Sequence, residues 1–234
     1  LSKKQAEYLA LQNQINPHFL YNTLEAIRGD ALCLGAKGIA ETTEALATFF
    51  RYTITEMKDL VTVEDELENV YNYFTIQQYR FGEKMRMEVV VVDAPEAYCC
   101  QIPKLTLQPI VENAIYHGIE NKARGGQIKL TVETTEKRLL ISVKDDGRGI
   151  PADEVSRINQ KLEKVAVSFI NDGKKQRGGI ALRNVAQRVK LLFGEEYGLY
   201  LLSTEGLGTE VRITLPKIIM NKGEVLLHEN GTPA

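Results

Sequence analysis

Near residue 82 the apolar period of this chain changes from that of a helix to that of a strand. Up to about residue 82 the apolar side chains recur every three to four positions throughout. From about residue 83 to 217, alternating runs appear between helical ones. A chain patterned in this way reads as two regions, one all-helical and one α/β. Its 234 residues suffice for one large domain or two small ones. With 44% hydrophobic and 26% charged residues the composition is that of a globular protein. A net charge of −2 provides no basic field, so nucleic acid is not an expected partner. No apolar run approaches the roughly 18 residues of a membrane span, and no charged-then-apolar leader is present. Cys33, Cys99 and Cys100 have neither zinc-ligand spacing nor a disulfide-framework count, so they read as reduced thiols. The chain opens inside a helical pattern, at Leu1-Ser2-Lys3-Lys4-Gln5, and so reads as a piece of something longer.

The first helical segment covers about residues 2–31 and is interrupted at Asn16-Pro17, where an N-cap residue precedes a proline suited to a helix start. A second helix is predicted from Ile39 to Met57, with a stripe at Ile39, Leu46, Phe50 and Met57. A third starts at the capping-box-like Thr62-Val63-Glu64-Asp65, with a stripe at Val63, Leu67, Val70, Phe74 and Phe81. Then come a strand (87–92), a helix (104–117), two strands (127–133 and 139–145), and a short helix after Pro151. A polar loop (164–177), a helix (180–193) and two strands (197–203 and 209–215) follow. This is the pattern of an α/β sandwich. The expected division is 1–82, 83–220 and a tail, 221–234.

After Pro17, Leu20, Leu24, Ile27 and Ala31 share one helical stripe, while His18, Asn22 and Glu25 fall nearly opposite. If the apolar stripe faces a core, His18 faces solvent. A neutral imidazole is a nucleophile at pH 7. Asn22, four residues on, can reach the same group. A lone surface histidine on a solvated polar face is the plainer reading of these residues by themselves.

Four later segments fit one ligand. In Leu107-Gln108-Pro109-Ile110-Val111-Glu112-Asn113-Ala114-Ile115-Tyr116-His117-Gly118, Leu107, Ile110, Val111 and Ala114 make a core face. Asn113 and His117 lie four apart on a neighbouring face, and an Asn carbonyl suits Mg²⁺. Alone, Asn113 is an ordinary helix-surface amide. In Asp145-Asp146-Gly147-Arg148-Gly149, a carboxylate at a strand end can accept an adenine amine, with glycines allowing close approach. Alone, Asp-Gly is better read as a turn. Arg177-Gly178-Gly179-Ile180-Ala181-Leu182 sets glycines before a helix, exposing N–H groups to phosphates. It lacks the Gly-Lys-Ser/Thr of a Walker loop. Glu205-Gly206-Leu207-Gly208-Thr209 reads as a hairpin turn whose Thr209 can also meet a phosphate.

The segment Gln14-Ile15-Asn16-Pro17-His18-Phe19-Leu20-Tyr21-Asn22-Thr23-Leu24 resembles the phospho-acceptor motif of LytS/YesM-type sensor histidine kinases. Phe49-Phe50-Arg51-Tyr52, Val63-Glu64-Asp65-Glu66-Leu67 and Tyr79-Arg80-Phe81-Gly82 resemble the rest of that family's dimerisation region. The four later segments resemble, in order, the nucleotide-binding boxes of the histidine-kinase ATPase fold. The resemblance covers about residues 1–216. It implies a helical dimerisation and phospho-acceptor region followed by a histidine-kinase-type ATPase α/β sandwich. His18 would be the phosphorylated residue, with Asn22 beside it. Asn113 would hold Mg²⁺, Asp145 the adenine amine of ATP, and Gly147, Gly149 and Gly179 would line the nucleotide. Glu112, His117, Arg177, Gly178, Leu182 and Thr209 also stand at positions of the nucleotide-binding motifs. The segment before Gly178 would be a lid over ATP. Asp146 stands where Asn is usual, Tyr116 where a basic residue is common, and Arg177 and Ala181 where Gly is frequent. His18 is followed by Phe19 rather than an acidic residue, which leaves Glu25 as a geometric candidate for the base. The implied activity is autophosphorylation of His18 and transfer to an aspartate of a response-regulator receiver domain, by a homodimer. Localisation would be the cytoplasmic portion of a cell-membrane protein, tethered through an upstream sensor segment. The alternative is a non-catalytic dimeric ATP-binding module of the same fold.

Overall fold

A computed structural model of the chain describes residues 17–54, 59–82, 84–92, 94–119, 125–164 and 180–219. The chain divides into two units, one of Leu1–Met57 with Leu67–Met85 and one of Lys58–Glu66 with Arg86–Ala234. The sequence division at residue 82 does not anticipate that Lys58–Glu66 folds with the second unit.

In the first unit, α1 (Pro17–Cys33) packs along α2 (Lys37–Ile54). Leu24 and Ala31 of α1 are buried as their stripe predicts, but Ile27 remains 45% exposed. On α2 the buried residues are Ala40, Thr43, Ala45 and Ala47, not Ile39, Leu46 and Phe50. Small residues let two helix backbones approach closely, so the bulky stripe lies at the flank, with Ile39 exposed. Met57 of that predicted stripe lies outside the described residues. Arg28 bridges Glu25 (3.3 Å) and Glu44 of α2 (3.1 Å). Glu25 is thereby part of a helix–helix ion pair.

The helix α3 (Val63–Phe81) starts where the capping signal places it. Asp65 N–H donates to Thr62 Oγ1 (3.1 Å), and Asp65 Oδ2 accepts from Thr62 N–H (3.1 Å) and Oγ1 (2.7 Å). Its stripe of Val63, Leu67, Val70 and Phe74 is buried, and Tyr73 meets Phe49 of α2 with ring centroids 5.8 Å apart.

The second unit is built on a five-stranded sheet of order β2-β4-β5-β7-β6. Its strands are β2 (Met85–Val91), β4 (Gly126–Thr134), β5 (Arg138–Asp145), β6 (Gly198–Thr204) and β7 (Gly208–Pro216). A short separate pair joins β1 (Leu60–Thr62) to β3 (Gln101–Pro103), antiparallel, with Val61 opposite Ile102. Between β2 and β3 lies α4 (Ala94–Cys99). The sequence pattern misses β1, α4 and β3, because three to six residues are too few to show a period.

Alternation puts one face of the large sheet inside. Ile128, Leu130 and Val132 of β4 register with Asp145, Val143 and Ile141 of β5, and these with Thr209, Val211 and Ile213 of β7. All but Thr209 are buried. This face is covered by α5 (Gln108–Asn113) with its π-helical continuation (Ala114–Ile119), α6 (Ala152–Glu163) and α7 (Ile180–Phe193). The opposite face carries Lys129, Lys144, Arg212 and Tyr200, all exposed. The fold is thus a helical region followed by a two-layer α/β sandwich. Among the described residues, no helix is long and apolar enough to cross a membrane.

Candidate nucleotide and phospho-acceptor sites

His18 stands in the first turn of α1, exposed, as its face predicts. Asn22 lies one turn on, its Nδ2 3.3 Å from both Nδ1 and Nε2 of the imidazole. The amide therefore favours neither ring nitrogen. Beside them is a cleft of about 450 Å³ whose walls include His18, Tyr21, Leu24, Phe50 and Arg51. The Arg51 guanidinium sits 6.0 Å from the centre of the Tyr21 ring, within reach of a cation–π contact. Among the described residues, Arg51 is the one Lys or Arg side chain in this wall, which is otherwise mostly apolar.

In the second unit Asp145, Gly147, Gly149 and Thr209, among the residues singled out from sequence, gather at one end of the sheet, where β5 finishes. Asp145 is 4% exposed, and its Oδ1 accepts from Gly147 N–H at 2.8 Å. A carboxylate kept this far from water needs donors around it. Gly118, ending the helix that carries Asn113, lies directly against it: a Cβ there would come within 2.6 Å of Asp145 Oδ1. A Cβ on Gly147 would run into the Gly118 backbone, and Arg148 N–H bonds Gly118 O at 3.3 Å. Gly149, at φ +66°, is pressed against the Thr204 carbonyl, and Gly208 against the carbonyl of Asp145 itself. These glycines bring the helix end, the β5 loop and the β6–β7 turn together around one buried carboxylate. Asp146, where Asn was expected, accepts from Gln127 N–H through Oδ1 at 2.8 Å. An amide oxygen could fill that bond equally, so the change leaves the corner intact.

Asn113 donates from Nδ2 to Pro109 O at 2.8 Å, a bond that uses the amide's donor rather than its Oδ1. The predicted helix from Lys104 starts only at Gln108, because Leu105 adopts φ 59° and breaks the helical path. Beyond Asn113 the helix widens into a π turn, a form that recurs at functional sites. His117 and Tyr116 lie on that wider turn, both exposed, so His117 is not in the straight i, i+4 relation to Asn113 that an α-helix would give. Glu112 accepts from Gln108 Nε2 at 2.9 Å. Thr209 shares a hydrogen bond with Ser203 Oγ (2.9 Å), which in turn accepts from Ile150 N–H (2.9 Å). Leu182 is a core side chain of α7, 5% exposed. Arg177, Gly178, Gly179 and nearly all of the predicted lid lie outside the described residues.

The donor set fits the group it was read for. Among the described residues no cluster of three or more His, Cys, Asp or Glu could hold a metal by itself. A single amide oxygen at Asn113 suits an ion that keeps water and phosphate for its other ligands. Sequence reasoning missed Gly118, Ser203 and Glu66. The first two carry no recognisable pattern, and Glu66 was placed with the helical region.

The family model described as "Histidine kinase" matches residues 6–85, and the one described as "Histidine kinase-, DNA gyrase B-, and HSP90-like ATPase" matches residues 103–219. The chain is 37% identical over 213 residues to the sensor histidine kinase YesM of Bacillus subtilis (strain 168), covering 91% of this chain and 34% of that protein. It is 32% identical over 225 residues to the sensor protein LytS of Bacillus anthracis, covering 95% and 36%. The histidine kinase domain of Erythrobacter litoralis EL346 blue-light activated histidine kinase aligns with a TM-score of 0.47 and 18% identity, covering 92% of this chain and 91% of that one. The chain spans about a third of the length of the curated relatives it matches. With the helical segment and the ATPase sandwich both matched in order, the chain belongs to the sensor histidine kinase family of YesM and LytS.

Proposed function

We propose that the chain is the kinase core of a two-component sensor, which phosphorylates its own His18 from Mg-ATP and passes the phosphoryl group to an aspartate of a response-regulator receiver domain. The observation that carries the reading is Asp145, a buried carboxylate with one oxygen fixed by Gly147 N–H and walled by Gly118. Such a group matches the exocyclic amine of adenine, and an unmatched buried polar group would be costly. Asn113, through Oδ1, would hold Mg²⁺, which when bound neutralises phosphate charge during transfer.

At His18 the unprotonated ring nitrogen supplies the electron pair. The nitrogen–phosphorus bond forms as the bond from the γ-phosphorus to the β–γ bridging oxygen breaks, and ADP leaves with that oxygen. The proton on the other ring nitrogen is released. Asn22, 3.3 Å from the imidazole, would donate to the phosphoryl oxygens, and Arg51, which shares a cleft wall with His18, would supply positive charge. Two copies pair through the helical unit, whose Ile27, Ile39 and Ile54 are exposed in one chain. The core serves as the cytoplasmic portion of a membrane protein.

The test is incubation with ATP labelled at the γ-phosphate. Acid-labile, base-stable label is expected on wild type and none on His18→Gln, which still binds ATP. Binding without label on wild type would favour the non-catalytic ATP-binding module. Label persisting on His18→Gln would remove His18 from the mechanism.

A further inference from the structure

Three charged side chains are buried among the described residues: Glu66, Lys104 and Asp145. The nucleotide reading uses only Asp145. The other two meet elsewhere, at the turn that begins the Asn113 helix.

Glu66, with no exposed surface, lies in the first turn of α3. Its Oε1 accepts from Leu105 N–H at 2.6 Å, and its Oε2 from Thr106 N–H at 2.8 Å and Leu107 N–H at 2.9 Å. Three consecutive N–H groups converge on one carboxylate only where the backbone forms a concave nest, and the left-handed Leu105 provides it. That conformation disfavours a residue with a side chain, so something must hold it in place. Leu107 is the N-cap position of α5 and makes no side-chain cap. The cap comes instead from Glu66, 41 positions earlier.

The same turn is held from its other side. Arg188 of α7 donates through Nη2 to Leu105 O at 2.8 Å and lies 3.5 Å from Thr106 Oγ1. Thr106 Oγ1 donates to Pro103 O. Burial pulls the Lys104 ammonium below its usual range, and the charge of Glu66 acts to raise it again. Side chains or backbone of three helices therefore meet at one buried turn. Of these, α5 bears Asn113, α7 follows the glycines at 178 and 179, and α3 continues from Leu67 into the helical unit.

We infer that Glu66 is a positioning residue for the metal-bound nucleotide: by fixing the start of α5 it sets where Asn113 presents its oxygen. The inference rests on the proposed role of Asn113. It assigns to the Val63–Leu67 motif a task in the ATPase unit, where the resemblance gives it to dimerisation.

A plain structural anchor would lower stability and leave nucleotide affinity unchanged in the folded protein. A positioning role makes the magnesium-dependent part of binding the sensitive quantity. The experiment compares the full chain with Glu66→Gln, which keeps the size of the side chain but turns an N–H₂ group against backbone N–H donors. ADP affinity is titrated with and without Mg²⁺, below the melting temperature of each protein. The expected result is a loss of about 10-fold or more in Mg-ADP affinity, as for other groups that orient a metal ligand. Mg-free ADP binding through Asp145 stays close to wild type. Arg188→Gln, which loosens the other side of the turn, repeats the pattern more weakly. Unchanged Mg-ADP affinity in a folded Glu66→Gln protein overturns the inference. So does an equal loss with and without Mg²⁺, and so does failure of both variants to fold. Absence of a magnesium effect in wild type would instead overturn the assignment of Asn113.

Discussion

At the residue scale the proposed nucleotide site depends on which atom of Asp145 is where. Its Oδ1 is committed to Gly147 N–H, so replacing the carboxylate by an amide sets a donor against a donor or turns the acceptor away from the ligand. Asp145→Asn is expected to weaken ADP by roughly 10- to 100-fold, the range for an unmatched buried polar group. Calorimetric titration measures it, and unchanged affinity would reduce Asp145 to a turn residue. Asn113→Ala removes an oxygen without adding charge, and it should abolish the gain in ADP affinity that Mg²⁺ gives while leaving metal-free binding in place. Cys100 gives a separate reading of the core. Burial pushes its thiol above the ordinary 9.0. The unfolded chain therefore ionises first as pH rises past that value, and the thiol's contribution to stability falls as pH climbs toward the folded pKa. Cys100→Ala should show a shallower alkaline decline in melting temperature than wild type. An identical slope would place the thiol in a wetter environment than the structure shows.

At the scale of elements, the joins matter more than the strands. Gly149 combines φ +66° with contact against the Thr204 carbonyl, so Gly149→Ala should cost about 1–3 kcal/mol in denaturant unfolding. Gly118→Ala tests something different. Its new methyl would press on the Asp145 carboxyl, so the variant should lose ADP affinity as Asp145→Asn does. Wild-type affinity in Gly118→Ala would mean the carboxylate can shift freely, against the close packing of this corner. Much of this was legible from sequence. The capping signal at Thr62 and Asp65, the alternation in β4, β5 and β7, and the face carrying His18 each follow a local period or a local hydrogen bond. The start of α5 was not legible, because its cap is supplied by a residue 41 positions away. The residues of α2 that one chain buries were not legible for another reason. Hydrophobicity favours the bulky stripe, whereas packing within one chain buries Ala40, Thr43, Ala45 and Ala47.

For the molecule as a whole, the ATPase unit begins earlier than its sheet. Lys58–Glu66 contributes β1, paired with β3, and the carboxylate that caps α5. A fragment of residues 58–219 should therefore unfold cooperatively. One of residues 86–219 should be less stable by several kcal/mol, because three buried N–H groups lose a charged partner. Denaturant titration of the two fragments decides this, and equal midpoints would show Lys58–Glu66 to be dispensable. The glycine corner has a consequence on a longer timescale. Gly147, Gly149 and Gly208 are excluded from substitution by neighbouring backbone atoms, whatever the ligand. A descendant that ceased to use nucleotide would keep them as long as it kept the fold, while Asp145 and Asn113 drifted. In such lineages the paired glycines would survive as a fossil of shape, and a surviving Asp145 beside them would mark those that still bind.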